Sequence, residues 1–150
     1  MIESLCNWLA ATPLSGAFQR WSWFVPTVQV IHIVCVGIVF TATLRIAVRL
    51  LAQRGSLSGA TELWRKLQPA VWTALSVLAL TGILLTITEP ARELLNWVFR
   101  TKMLLVILLA ALLGTLSRLE VRHAGGPALG VLLLTLCLAL ITAGRWIAYV

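Results

Sequence analysis

His32, Lys102, Met103, Arg145 and Tyr149 are the side chains here best suited to chemistry, because each is polar or polarisable and stands within or at the edge of a long apolar stretch. Ionisable groups are costly in hydrocarbon, so where they occur they are functional candidates by default. An imidazole offers a nitrogen lone pair, a thioether a soft sulfur, and ammonium or guanidinium groups offer charged donors. Rotation by about 100° per residue puts Gln29, His32, Val36, Phe40 and Thr43 on one face of the first stretch, so Gln29 and His32 form a polar stripe directed into the interior. Convergence of Gln29, His32, Lys102, Met103, Arg145 and Tyr149 would make one outward-facing pocket. Such a pocket suits a haem edge, a quinone head group, a copper or other metal ion, or an anionic partner. The metal-ligating pair in it is His32 with Met103, since His/Met ligation is known for haem iron.

Each of these residues also has a plainer reading. His32 then hydrogen-bonds a carbonyl or hydroxyl on a neighbouring helix. Lys102 and Arg100 snorkel to head groups, and Arg145, Trp146 and Tyr149 anchor a helix end at the interface. Met103 shares a face with Asn96, Ile107, Ala110 and Gly114, and the small pair Ala110-x-x-x-Gly114 points to helix packing there. Haem ligation by two histidines of one chain is excluded by span geometry. His123 lies past the far end of the third stretch from His32, so most of a ~30 Å hydrocarbon core separates them. The chain has no phosphate-binding loop, zinc-protease helix or nucleophile elbow. There is no Asp, and Glu3, Glu62, Glu89, Glu93 and Glu120 all fall near span boundaries or in loops, which disfavours paired-carboxylate catalysis. No catalytic residue is assigned.

The elements that must position these groups are four apolar stretches, at about residues 25–48, 69–88, 97–117 and 127–144. A composition 60% hydrophobic and 11% charged fits membrane helices, and the continuous Leu/Val/Ala runs lack the alternation of barrel strands. The expected fold is an all-α membrane protein: a four-transmembrane-helix bundle with an N-terminal interfacial amphipathic helix, forming a single membrane domain over 1–150. In residues 1–24, Ile2, Leu5, Trp8 and Leu9 recur at helical spacing, Thr12-Pro13 ends that helix, and Trp21, Trp23 and Phe24 mark entry into the membrane. Thr61 is expected to cap a short helix leading to Pro69. The N-terminus lacks a basic n-region and is expected to be retained.

The net charge of +7 reads as span-flanking basic residues, not as nucleic-acid binding. Arg45, Arg49, Arg54, Arg65, Lys66, Arg118 and Arg122 fall on one side; Arg20, Arg92, Arg100, Lys102 and Arg145 fall on the other. The first set is expected to be cytoplasmic, which leaves both termini periplasmic. Cys6, Cys35 and Cys137 show neither metal spacing nor a disulfide framework.

Several stretches carry a resemblance. They are Pro26 with Gln29 and Ile31-His32, Leu44-Arg45, Thr81-Gly82-Ile83-Leu84-Leu85, Glu89-Pro90, Asn96 with Phe99 and Lys102-Met103, and Ala143-Gly144-Arg145-Trp146-Ile147-Ala148-Tyr149. In this order and over nearly the whole chain, the sequence resembles an uncharacterised family of small bacterial four-helix membrane proteins, a domain of unknown function. The resemblance implies an inner-membrane protein and transfers no activity. Thr43 stands before Leu44-Arg45 where the family pattern has an acidic residue. A more distant, fold-level likeness is to copper-resistance membrane proteins and cytochrome-b-like four-helix proteins, whose second intramembrane histidine is missing here.

The resulting functional expectation is an inner-membrane accessory or anchor subunit, non-catalytic, working with a membrane or periplasmic partner or as a homo-oligomer. Its rival is a redox or metal-handling protein binding haem, quinone or copper around His32. A small permease comes third, because broken central helices and midplane charges are lacking.

Overall fold

A computed structural model describes residues 2–52, 58–116 and 126–146. Within them the chain is helical, with no strand. Four helices are long and apolar enough to span a bilayer: α3 (Phe24–Ala52), α4 (Ser58–Thr88), α6 (Trp97–Leu116) and α7 (Gly126–Trp146). Three short helices, α1 (Ile2–Ala10), α2 (Pro13–Arg20) and α5 (Pro90–Leu94), lie at one end and are termed the cap. The fold is the expected four-helix membrane bundle.

The spans pack as α4–α3–α7–α6, with α3 at the centre of the contacts. The α4 and α6 sides approach through Trp72, whose ring carbons lie 3.7 Å from a Cβ placed at Gly114. The core is densest at the end away from the cap. There Ile46, Ala47 and Leu50 of α3, Trp64 of α4, Leu113 and Leu116 of α6 and Leu133 of α7 are fully buried. Many other large apolar side chains face outward, among them Val30, Ile33, Leu80, Leu104 and Ile107, as helices surrounded by lipid require. Thr43, at the position noted above, is buried; it donates to Val39 O at 2.8 Å and hydrogen-bonds Cys137 of α7.

Two expectations change. Pro69 does not open the second span: α4 begins at Ser58 and runs through it. Thr61 is therefore inside α4 and does not open a separate short helix. The reason is amphipathic burial, since Ala60, Leu63, Trp64 and Leu67 all pack on the bundle core, and this outweighs the backbone donor lost at proline. Likewise Thr12-Pro13 ends one helix and starts another. Thr12 Oγ1 accepts from Ser15 N at 3.4 Å, and Pro13 takes the first helical position, where its missing N–H costs nothing. On α1 Cys6 is buried, while Trp8 is exposed.

Specific contacts hold the cap together and to the bundle. Cys6 Sγ lies 3.6 Å from Pro90 O, which ties α1 to α5. The rings of Phe18 and Phe24 stack at 4.2 Å. Asn96 caps α6, its Oδ1 accepting from Val98 N at 2.9 Å. Cys6, Cys35 and Cys137 are all buried free thiols. Maleimide labelling of folded protein is therefore expected to run at least about tenfold slower than after unfolding. Rapid labelling of Cys35 or Cys137 in the folded state would contradict this packing.

Candidate functional site

The candidate site lies below the capped end, where three helices bring polar groups to a similar depth. His32 is eight residues into α3, Thr81 is seven residues before the end of α4, and Lys102 is five residues into α6. At 1.5 Å per residue these positions are about 12, 10 and 8 Å from the respective helix ends. The exposed rings of Trp21, Trp23 and Trp97 mark the interfacial level above them.

His32 Nδ1 lies 2.7 Å from Thr81 Oγ1. The same hydroxyl lies 2.7 Å from Val77 O, one turn back along α4. A hydroxyl carries one proton and the carbonyl none. If the Thr81 proton goes to Val77 O, His32 Nδ1–H donates to Thr81 and both bonds form. The reverse arrangement would leave two oxygens facing each other at 2.7 Å with no proton between them. The network thus assigns the neutral imidazole a protonated Nδ1 and a bare Nε2 lone pair. Nε2 has no hydrogen-bond partner among the described residues. The ring lies beside Gly82 of α4, where a Cβ would be in ordinary van der Waals contact, 3.9 Å from His32 Cε1.

Lys102 is half-buried on the face of α6 that also presents Val98 and Leu109 to the interior. It is within Coulombic reach of His32 and of Glu93 on α5. Half-burial covers its alkyl stem while Glu93 of the cap attracts its ammonium, an arrangement that snorkelling toward the interface also gives. Arg100 does reach the surface, where it donates to Leu94 O at 3.3 Å and closes the end of α5.

The remaining candidates are placed differently. Gln29 is exposed, turned away from the interior stripe that continues through Cys35, Val39 and Thr43. Met103 follows Lys102 by about 100° around α6 and is exposed, as is Ile107, so the expected packing face fails at these two residues. The true packing stripe is Val98, Leu109, Leu113 and Leu116. Gly114 keeps its packing role against Trp72. Arg145 is exposed in the last turn of α7 and already engaged in an interaction. Tyr149 and His123 lie outside the described residues. No group of three or more metal-ligating His, Cys, Asp or Glu side chains occurs among the described residues.

Sequence reasoning missed Thr81 and Glu93 as members of the site. The signal for Thr81 was a hydroxyl at the same depth as His32 on the adjoining antiparallel span. Comparison with protein-family models, curated proteins and solved structures returns no match. The family likeness described above thus rests on its residues alone.

Proposed function

We propose that this chain is a multi-pass inner-membrane accessory subunit that holds a lipid-borne, hydroxyl-bearing ligand of the quinol class beneath its capped end. The observation that carries the reading is the His32–Thr81 bond, which leaves Nε2 as an acceptor without a donor among the described residues. A quinol hydroxyl donates to that lone pair, and the Lys102 ammonium supplies a donor for an oxygen of the same head group. The depth suits a head group just inside the interface with its tail in lipid. The nearby ammonium also opposes a bare copper ion at Nε2 through like-charge repulsion. Haem is a poorer fit, because Met103 is exposed and no second histidine lies at this level among the described residues.

Calorimetric titration of the detergent-purified protein with a short-tailed quinol tests the reading. One saturable site per chain is expected, with no Soret band and no stoichiometric copper. Absent quinol binding, or a Soret band or copper lost on His32→Ala, would overturn it. The orientation is a second part of the proposal and rests on the basic-residue bias. A C-terminal reporter enzyme active only outside the cytoplasm is expected to be active; activity of a cytoplasm-only reporter would reverse the topology.

A further inference from the structure

A lateral groove of about 430 Å³ opens between α3 and α4, away from the capped site. Its α3 wall is Val34, Gly37, Ile38, Thr41 and Arg45, and Ala70 contributes from α4. These α3 positions follow the three- and four-residue spacing of one helix face, so the groove runs along the bilayer normal. From Val34 to Arg45 it covers eleven residues, about 16 Å of helix rise, close to half of the ~30 Å hydrocarbon core. One leaflet's acyl chain has that length.

The floor is open at Gly37, where an added Cβ would meet nothing within 4 Å. Val34 and Ile38 flank it with large exposed apolar surface. The head-group end is Arg45, seven residues before the end of α3. Its guanidinium is exposed and has no carboxylate at salt-bridge distance among the described residues. Lys66 differs, since it is already paired with Glu62 at 2.9 Å. Thr41 Oγ stands one turn inside Arg45, at the depth of a lipid ester linkage.

We propose that this groove is a binding site for one anionic phospholipid of the leaflet at the α3 C-terminal end. An acyl chain lies over Gly37 between Val34 and Ile38, and the phosphodiester is held by Arg45. A guanidinium binds a phosphate oxygen pair through two parallel N–H donors, which gives the site selectivity for phosphate geometry as well as charge. A negatively charged head group is preferred over a zwitterionic one because the latter carries its own cation beside the phosphate.

Native mass spectrometry of detergent-purified protein, titrated with phosphatidylglycerol or phosphatidylcholine of matched chains, tests this. The expected result is one phosphatidylglycerol per chain, retained at least about fivefold better than phosphatidylcholine. Arg45→Gln should lose most of that preference. Gly37→Leu should lose binding of both lipids by filling the groove while leaving the charge. Lys66→Gln should change neither. All three positions are exposed or face open space, so the variants are expected to fold, and a helical circular-dichroism spectrum matching the parent confirms that each is comparable. Equal phosphatidylglycerol retention by the parent, Arg45→Gln and Gly37→Leu would overturn the proposal. So would a dimer that dissociates in Gly37→Leu, because a second copy would then be the occupant. Quinol titration at His32 is independent of all these outcomes.

Discussion

Gly130→Leu is expected to prevent the bundle from forming. At Gly130 the backbone of α7 lies tight against α3. A Cβ built there would stand 3.0 Å from Ala47 O, 3.1 Å from Leu51 Cγ and 3.2 Å from Leu50 Cβ. The nearest of these is a backbone oxygen inside a membrane helix, which cannot swing aside as a side-chain tip can. Leu50 is fully buried and already committed to the core. Even Gly130→Ala forces the helices to separate by tenths of an ångström, at a cost of about 1–3 kcal/mol. Leucine adds three further carbons to a space with no room for one. Small residues at such contacts let membrane helices exchange close backbone packing for stability, since lipid provides no hydrophobic drive between them. The check is monodispersity on size exclusion together with thermal unfolding. Alanine should lower the unfolding temperature, and leucine should leave no monodisperse folded peak. A leucine variant as stable as the parent would mean that α3 and α7 do not meet here. Gly37→Leu provides the contrast, because the space at Gly37 is open.

His32→Ala is expected to reduce quinol affinity by about tenfold, the equivalent of one hydrogen bond worth about 1.4 kcal/mol. The bundle itself should hardly notice. Interhelical hydrogen bonds in membrane proteins contribute on average only about 0.6 kcal/mol. Thr81→Val separates the orienting role from the binding role. Valine keeps the shape but removes the acceptor for Nδ1–H, so the ring is free to exchange tautomers and Nε2 is bare only part of the time. About a threefold loss is expected, smaller than for His32→Ala and without a change in stoichiometry. If Thr81→Val bound as tightly as the parent while His32→Ala did not, the ring would act without Thr81 orienting it. If both bound like the parent, His32 would be no more than a contact between α3 and α4.

The sequence made the spans legible because membrane helices have a length requirement that little else imitates. The edges were less legible where polar and apolar residues mix. Between Thr61 and Gln68 the polar side chains suggested a connection, yet Ala60, Leu63, Trp64 and Leu67 fall at helical spacing and bury against the core. That period, given more weight than Pro69, would have extended α4 to its true start. His32 was recognisable from the cost of an imidazole in a span, whereas its partner was not, because pairing with Thr81 depends on the register of α3 against α4. Lys102 and Met103 show the same limit. Their faces are fixed by which side of α6 meets α7, and Leu109, Leu113 and Leu116 decide it in favour of Lys102 pointing inward. Gln29 follows the buried Val28 by about 100° around α3, which turns it off the interior stripe.

The most direct test of the central claim is nitrogen-15 NMR of histidine-labelled protein, with and without a short-tailed quinol. His32→Ala assigns the His32 signals against those of His123. The expected spectrum shows His32 with a protonated Nδ1 and an unprotonated Nε2, and quinol shifts the Nε2 resonance as the hydroxyl donates to it. A His32 protonated at Nε2, or an Nε2 resonance that saturating quinol leaves in place, would contradict the assignment of this site.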